Sequence, residues 1–244
     1  MSRGPLFLGG LGHALCRLSP ARAAAREFGF DVKEVLYPGF EGRAPTPDME
    51  AFLDSVELQV DIYRLSHKRR LMYATGFGAL IALALRARGR FVELPLVFQG
   101  AVPWRTARAL AGRRDTAAAL RAHLRQPDYQ RRYTERHFQR TLEESEARAF
   151  FSGFSTCDLH ETLFEWITPG WLADLEGRLA ARPRALTGVT VWLGGRDTLV
   201  DPGELDAAEA ALGTRWPRVT LEDWGHFPYL DDPLGWIEAI DRAM

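Results

Sequence analysis

Cysteine is scarce: Cys16 and Cys157 are the only two in 244 residues. Standing so far apart they make no disulfide framework, which fits a reducing compartment and a cytoplasmic protein. Long apolar runs are missing as well. No stretch reaches the roughly 20 residues that a membrane-spanning helix needs, so a soluble chain with no membrane partner is expected. Excess charge of one sign is also lacking, since 31 Lys plus Arg face 32 Asp plus Glu for a formal net charge of −1. That balance gives no global pull towards nucleic acid, membranes or acidic substrates. What is present is apolar mass, 46% hydrophobic and 11% aromatic residues, enough for one sizeable core and a single α/β domain. Arg3, the run Pro5-Leu6-Phe7-Leu8 and the small residues around Ala21-Arg22-Ala23 look like a short export signal. Gly9, Gly10 and Gly12 interrupt the run as a strand-to-loop turn does, and a buried first strand is the better reading.

The first 103 residues alternate strand-like and helix-like segments, the pattern of a parallel sheet covered by helices on both faces. Leu6 to Leu8 reads as a strand, Ala14 to Phe28 as a helix and Val32 to Tyr37 as a strand ended by Pro38-Gly39. A helix is expected over Pro47 to Ser66, with Pro47 in its first turn and Phe52, Val56, Leu58, Val60 and Ile62 as its apolar positions. Arg70 to Ala74 is the next strand. It leads through Gly76-Phe77-Gly78-Ala79 into a buried helix, Leu80 to Leu85, and Phe91 to Phe98 supplies a further strand. From Arg105 to about Arg182 the alternation stops in favour of helices rich in Ala, Leu, Arg and Glu, which marks an insertion. The rhythm resumes with Val189 to Leu193, a helix near Glu204 to Leu212, the strand Val219 to Glu222 and a helix from Pro233 to Met244. Asp232 is placed to cap that last helix, and Leu234, Ile237 and Ile240 form its expected buried stripe. There is no internal repeat.

Three segments carry chemistry. In Tyr73-Ala74-Thr75-Gly76-Phe77-Gly78-Ala79 a strand turns sharply into a helix, and such a turn needs small residues two before and two after its apex. Ala74 and Gly78 satisfy this around Gly76. A frame centred on Thr75 puts Tyr73 and Phe77 at the small positions, so the neighbouring hydroxyl is no natural replacement. The strand Val189 to Leu193 ends in Gly194-Gly195-Arg196-Asp197, a carboxylate placed to accept from a histidine Nδ1 and fix its tautomer. Trp224-Gly225-His226-Phe227-Pro228 then places a histidine on the loop before the last helix.

Taken in this order, nearly end to end, the chain resembles the α/β-hydrolase superfamily in its capped, esterase or acylhydrolase-like form. The resemblance implies a mostly parallel central sheet flanked by helices, with residues 1–104 and 183–244 as core and 105–182 as an inserted helical cap. It implies Asp197 as the acid, His226 as the general base and residue 76 as the nucleophile position. Leu8-Gly9-Gly10-Leu11-Gly12 is similar to the family's loop after the first central strand, so Leu11 and Phe77 become the backbone donors of an oxyanion hole. Tyr37-Pro38-Gly39-Phe40-Glu41-Gly42-Arg43 is similar to a Pro-Gly-x-Gly loop of these enzymes.

The departures are Gly76 for Ser, Asp or Cys, Ala74 for the usual glycine, and Gly9 where many members have histidine. Loss of the nucleophile in a serine hydrolase costs on the order of a millionfold in turnover, which closes ordinary covalent acyl transfer. Three readings stay open. The protein is a non-catalytic binding or regulatory member in which glycine relieves roughly 1–3 kcal/mol of backbone strain; or His226 still acts as a base on water or on a substrate proton; or a serine at position 76 has been changed to glycine. Cys157-Asp158-Leu159-His160 has a metal-like spacing but too few ligands for zinc, so no metal and no cofactor are expected. Ten arginines between Arg105 and Arg140 read as solvated helix faces, with nucleic-acid binding a distant alternative. The expected partner is a small, mostly apolar carbonyl or ester-type ligand beneath a cap that includes Phe150, Phe151, Phe154, Phe164, Trp166 and Trp171.

Overall fold

Strand alternation along the chain sorts side chains onto two faces of one sheet. The computed structural model describes residues 2–10, 19–39, 43–113, 115, 118–119, 122–123, 125–155 and 165–244. Its strands are β1 (Ser2–Leu8), β2 (Lys33–Glu34), β3 (His67–Thr75), β4 (Leu96–Gln99), β5 (Val189–Gly194) and β6 (Arg218–Leu221). They pair in the order β2-β1-β3-β4-β5-β6, every pair parallel. Leu6, Leu8, Met72, Leu96, Phe98 and Val191 enter one apolar cluster. The intervening Phe7, Leu71, Tyr73, Val97 and Trp192 enter the other, as the period-two geometry of strands requires. Helices α1 (Ser19–Glu27) and α10 (Pro233–Ala243) supply residues to the second cluster. Helices α2 (Met49–Ser66), α3 (Phe77–Ala87), α7 (Pro169–Ala180) and α8 (Pro202–Leu212) supply the first. Between β4 and β5 run α4 (Trp104–Leu110), α5 (Pro127–His137), α6 (Glu144–Ser155) and α7, with no strand among the described residues of 105–182. A one-turn helix α9 (Pro228–Asp231) precedes α10. No helix among the described residues is long and apolar enough to cross a membrane.

Several expected details change for local reasons. Asp48 caps α2 by accepting from the Ala51 amide at 2.8 Å, so the helix starts at Met49 and Pro47 lies outside its first turn. At about 100° per residue the buried face of α2 runs through Phe52, Val56, Val60 and Tyr63. Leu58 and Ile62 fall off it, at 62% and 58% exposure. The strand expected from Phe91 begins only at Leu96, because Phe91 sits in a turn at φ 58° and Pro95 has no amide to donate to a ladder. On α10, Asp232 accepts from the Gly235 amide at 3.1 Å, as expected of the cap. Leu234, about 200° round the helix from Trp236, is half exposed, and the buried stripe is Trp236, Ile237, Ala239 and Ile240.

The chain leaves β1 for β2 on one side and returns to β3 on the other. That reversal opens a crevice at the carboxyl ends of β1 and β3, where open parallel sheets place their ligands.

Candidate active site

Register brings the site together. Leu8 pairs with Ala74, Thr75 with Gln99, and Gln99 with Trp192. The turns after β1, β3, β4 and β5 therefore emerge at one edge of the sheet. After β3 the backbone reverses at Gly76 with φ 49° and ψ −120°, and α3 begins at Phe77. The two glycines of this turn have different causes. A Cβ at Gly78 would lie 2.2 Å from the Leu8 carbonyl oxygen, whereas one at Gly76 would meet only the Gly10 Cα at 3.8 Å. Gly78 is required by packing between α3 and β1, and Gly76 by its dihedral angles alone.

Asp197 follows β5 and turns its carboxylate inward. Its Oδ1 accepts from the amides of Leu199 at 2.8 Å and Val200 at 3.2 Å. Its Oδ2 accepts from His226 Nδ1 at 2.9 Å. Burial pushes the Asp197 carboxyl up, but the hydrogen bond and charge of His226 together with the two amides outweigh it and hold the group below its ordinary value. His226 is carried by the loop after β6, which lies tight on the β5 turn: a Cβ on Gly194 would stand 2.4 Å from the Trp224 carbonyl. Its ring meets Phe227 edge-on at 4.6 Å.

A cavity of about 220 Å³ borders this pair, lined by Gly10, Thr75, Gly76, Phe77, Leu80 and His226 on the core side and by Tyr133 and Ile167 among the residues above. The residues assigned to acid, base and nucleophile position thus converge, with Phe77 beside them. Leu11, the other proposed oxyanion donor, lies outside the described residues. So do Phe40 to Gly42, Cys157 to His160 and Phe164, and the side chain of Phe154 is likewise not described. The start of the Pro-Gly loop does meet the site, since the Tyr37 hydroxyl donates to the Gly9 carbonyl at 3.1 Å. Among the described residues no group of three or more His, Cys, Asp or Glu side chains is arranged to hold a metal. A larger groove of about 320 Å³ between β4, β5, β6 and α10 is bordered by none of the converging residues.

Sequence reasoning missed four contributors. Gly100, at φ 78°, ends β4 against the dyad, where a Cβ would stand 3.8 Å from Asp197 Oδ2 and 3.9 Å from His226 Cε1. A strand followed by Gln-Gly was its only signal. His137, at the end of α5, shares a hydrogen bond with Thr198 Oγ1 at 3.0 Å. Burial lowers its pKa, Arg136 and His226 lower it further, and Asp197 opposes them. Tyr133 packs against that imidazole at 4.6 Å and lines the cavity. Thr75 does not stand at the apex, yet it borders the cavity. In the insertion several arginines have carboxylate partners: Arg105 with Asp201 at 3.3 Å, Arg140 with Glu146 at 2.7 Å, and Arg108 with Glu176.

Among solved structures, the haloalkane dehalogenase DbeA from Bradyrhizobium elkani is 20% identical, the match covering 100% of this chain and 92% of that one with a TM-score of 0.55. An extracellular α/β-hydrolase from a Paenibacillus species is 12% identical over 99% of this chain and 98% of that one, with a TM-score of 0.63. These likenesses concern the fold. No protein of curated function matches the sequence significantly. The model of the alpha/beta hydrolase family matches residues 6–240, and with this match, in keeping with the parallel sheet, the sharp turn after β3 and the Asp197–His226 pair, the chain belongs to that family.

Proposed function

We propose that this α/β-hydrolase takes a small, mostly apolar carbonyl or ester-type compound into the cavity beside Gly76, with covalent acyl transfer closed to it and His226 kept as a general base. The observation that carries the reading is the 2.9 Å contact between His226 Nδ1 and Asp197 Oδ2 at the wall of a cavity whose apex bears no side chain. With Asp197 accepting from Nδ1–H, the neutral ring has its lone pair on Nε2. That nitrogen can take a proton from water or from a ligand C–H or O–H, while the Phe77 amide, joined on this proposal by that of Leu11, stabilises charge developing on the carbonyl oxygen. Residues 105–182 serve as the cap, and the aromatic side chains of α5 and α6 favour an apolar ligand.

The test is an assay of small activated esters with the chain as it stands, Gly76→Ser, and Gly76→Ser combined with His226→Ala. Because a Cβ at 76 meets nothing closer than 3.8 Å, the serine variant is expected to fold, turn over ester with an acyl-enzyme burst, and lose that turnover with the histidine. The chain itself should show no burst. A folded Gly76→Ser protein that stays inert would remove the reading of His226 and Phe77 as working machinery.

A further inference from the structure

The cavity end formed by β3 and α3 is rich in donors and poor in acceptors. α3 is 11 residues long and its N-cap, Gly76, supplies no side chain to the first turn; the Ala79 amide donates to the Gly76 carbonyl at 3.0 Å, and the Phe77 and Gly78 amides before it are left to carry the positive end of the helix dipole. A second, independent donor points to the same place. Thr75 is 6% exposed and borders the cavity. Its Oγ1 lies 3.6 Å from where a Gly10 Cβ would stand, and among the described residues its hydroxyl has no hydrogen-bond partner. His226, a donor once Nε2 is protonated, completes the set. The neighbouring acid is already engaged: Asp197 is satisfied by the imidazole and two amides and does not line the cavity. Among the described residues no other carboxylate and no lysine or arginine lines it, and apart from Thr106 and Tyr133 the remaining wall is apolar, including Leu80, Pro103, Ile167 and Phe227.

A serine at residue 76 would put a hydroxyl between the α3 amides and the imidazole. Glycine leaves that volume open, and the group whose shape and acceptor count match it is a planar carboxylate, one oxygen on the α3 amides and Thr75 and the other on His226 Nε2. We propose that this end of the cavity is a carboxylate receptor, and that the chain binds small apolar carboxylic acids as their anions, with the apolar body towards Leu80 and Ile167. The cavity's 220 Å³ is below the roughly 300 Å³ at which drug-sized pockets begin, which limits the body to a single ring or a short branched chain. A phosphate dianion is disfavoured by the absence of arginine and lysine among the described residues of the wall. Since Nε2 of the neutral ring is an acceptor, binding the anion takes one proton from solvent onto His226. Asp197 holds the other nitrogen, and the ionisable groups on the surrounding elements are Arg136, His137 and Tyr133 of α5 and Asp231 of α9.

This inference rests on the cavity being the ligand site, as proposed above, and its test separates the two. Titration calorimetry with benzoate and with methyl benzoate, each in two buffers of different ionisation enthalpy, is run on the full chain, Thr75→Val, His226→Gln and Gly76→Ser, every variant checked by thermal melt. The chain should prefer benzoate by roughly ten- to a hundredfold, the worth of charge-assisted hydrogen bonds. Proton uptake should accompany benzoate alone. The preference should shrink in Thr75→Val, collapse in His226→Gln, and fall in Gly76→Ser, where the new hydroxyl occupies the carboxylate's place. Methyl benzoate bound as tightly as benzoate would overturn the carboxylate receptor and leave the cavity reading standing. Benzoate affinity indifferent to both Thr75→Val and His226→Gln would overturn it as well, and failure of both probes to bind would overturn both readings.

Discussion

Two glycines two residues apart show how differently the same residue type is constrained. Gly78 lets α3 press onto β1, and an added methyl would have to displace the Leu8 carbonyl from 2.2 Å. Gly76 has room but an unfavourable φ of 49°. Gly78→Ala should therefore cost roughly 3 kcal/mol or more in denaturant unfolding, above the ordinary range for overpacking because backbone rather than a side chain must yield. Gly76→Ala should cost only the roughly 1–3 kcal/mol of left-handed strain. Equal costs would refute the distinction. The sequence could rank these positions only through the spacing of small residues around a strand-to-helix turn, and that sufficed to place the apex. Asp197 and His226 were legible for a similar reason: each lies on the turn that follows a strand, and the turns after the strands of a parallel sheet are forced to one edge. Gly100, Thr75 and His137 were not, because their roles depend on which turns the register brings side by side, and no local pattern encodes that.

At the scale of elements, the insertion docks onto the two loops that carry the acid and the histidine. α5 ends at His137 against Thr198. The Gln139 amide then donates to Asp231 Oδ1 at 3.2 Å, and Arg140 Nε donates to the Leu230 carbonyl at 3.3 Å. Asp231 is held here at a cost. Burial raises its carboxyl to about 6, against the weaker opposing pull of the Gln139 amide and Arg140. The folded value exceeds the unfolded one, so between about pH 4 and pH 6 the unfolded chain releases this proton first and stability falls as pH rises, the penalty being complete above about pH 6. Partial exposure screens the effect to about 1 kcal/mol. Asp231→Asn should thus gain about that much at pH 7 and nothing at pH 3, measured by urea midpoints. Loss of stability at pH 7 would mean that the carboxylate's charge is needed by the docking. Asp197 works with the opposite sign, since its lowered value gives stability above the unfolded carboxyl range that is lost as pH falls through the folded one. The helices themselves were mostly legible, yet their exposed faces were not. Leu58, Ile62 and Leu234 satisfy apolar composition and fall outside the stripe that geometry buries.

For the whole molecule the question is whether the helical segment between β4 and β5 and the sheet beneath it are one cooperative unit. Phe138 stacks on Phe227 at 4.9 Å and meets Phe150 edge-on at 5.0 Å. Phe150 also meets Phe227 at 5.0 Å. From Phe227 the rings continue to Tyr229 at 6.2 Å, from Tyr229 to Phe7 at 5.0 Å, and from Phe7 to Tyr73 at 5.6 Å. The apolar contacts of the insertion are thus continuous with the second face of the sheet, through the residue next to His226. On the other face fully buried Arg86 ties α3 to the approach to β5 by donating to the Ala185 carbonyl at 3.2 Å and the Thr187 carbonyl at 2.6 Å. Burial holds its pKa down at about 10, and it pairs with carbonyls rather than a carboxylate, that of Leu94 before β4 included at 2.5 Å, so its removal strands acceptors on two segments at once. With both faces bound in this way, Phe138→Ala should lower the stability of the entire chain by about 3–5 kcal/mol. Near-ultraviolet dichroism, which reports the ring cluster, and far-ultraviolet dichroism, which reports all the helices, should then melt together before and after the substitution. If the ring signal is lost well below the helical one, the insertion unfolds by itself. His226 would then be held in place by Asp197 and the β5 turn alone, and the helices between β4 and β5 would be free to move over the cavity without disturbing the sheet beneath them.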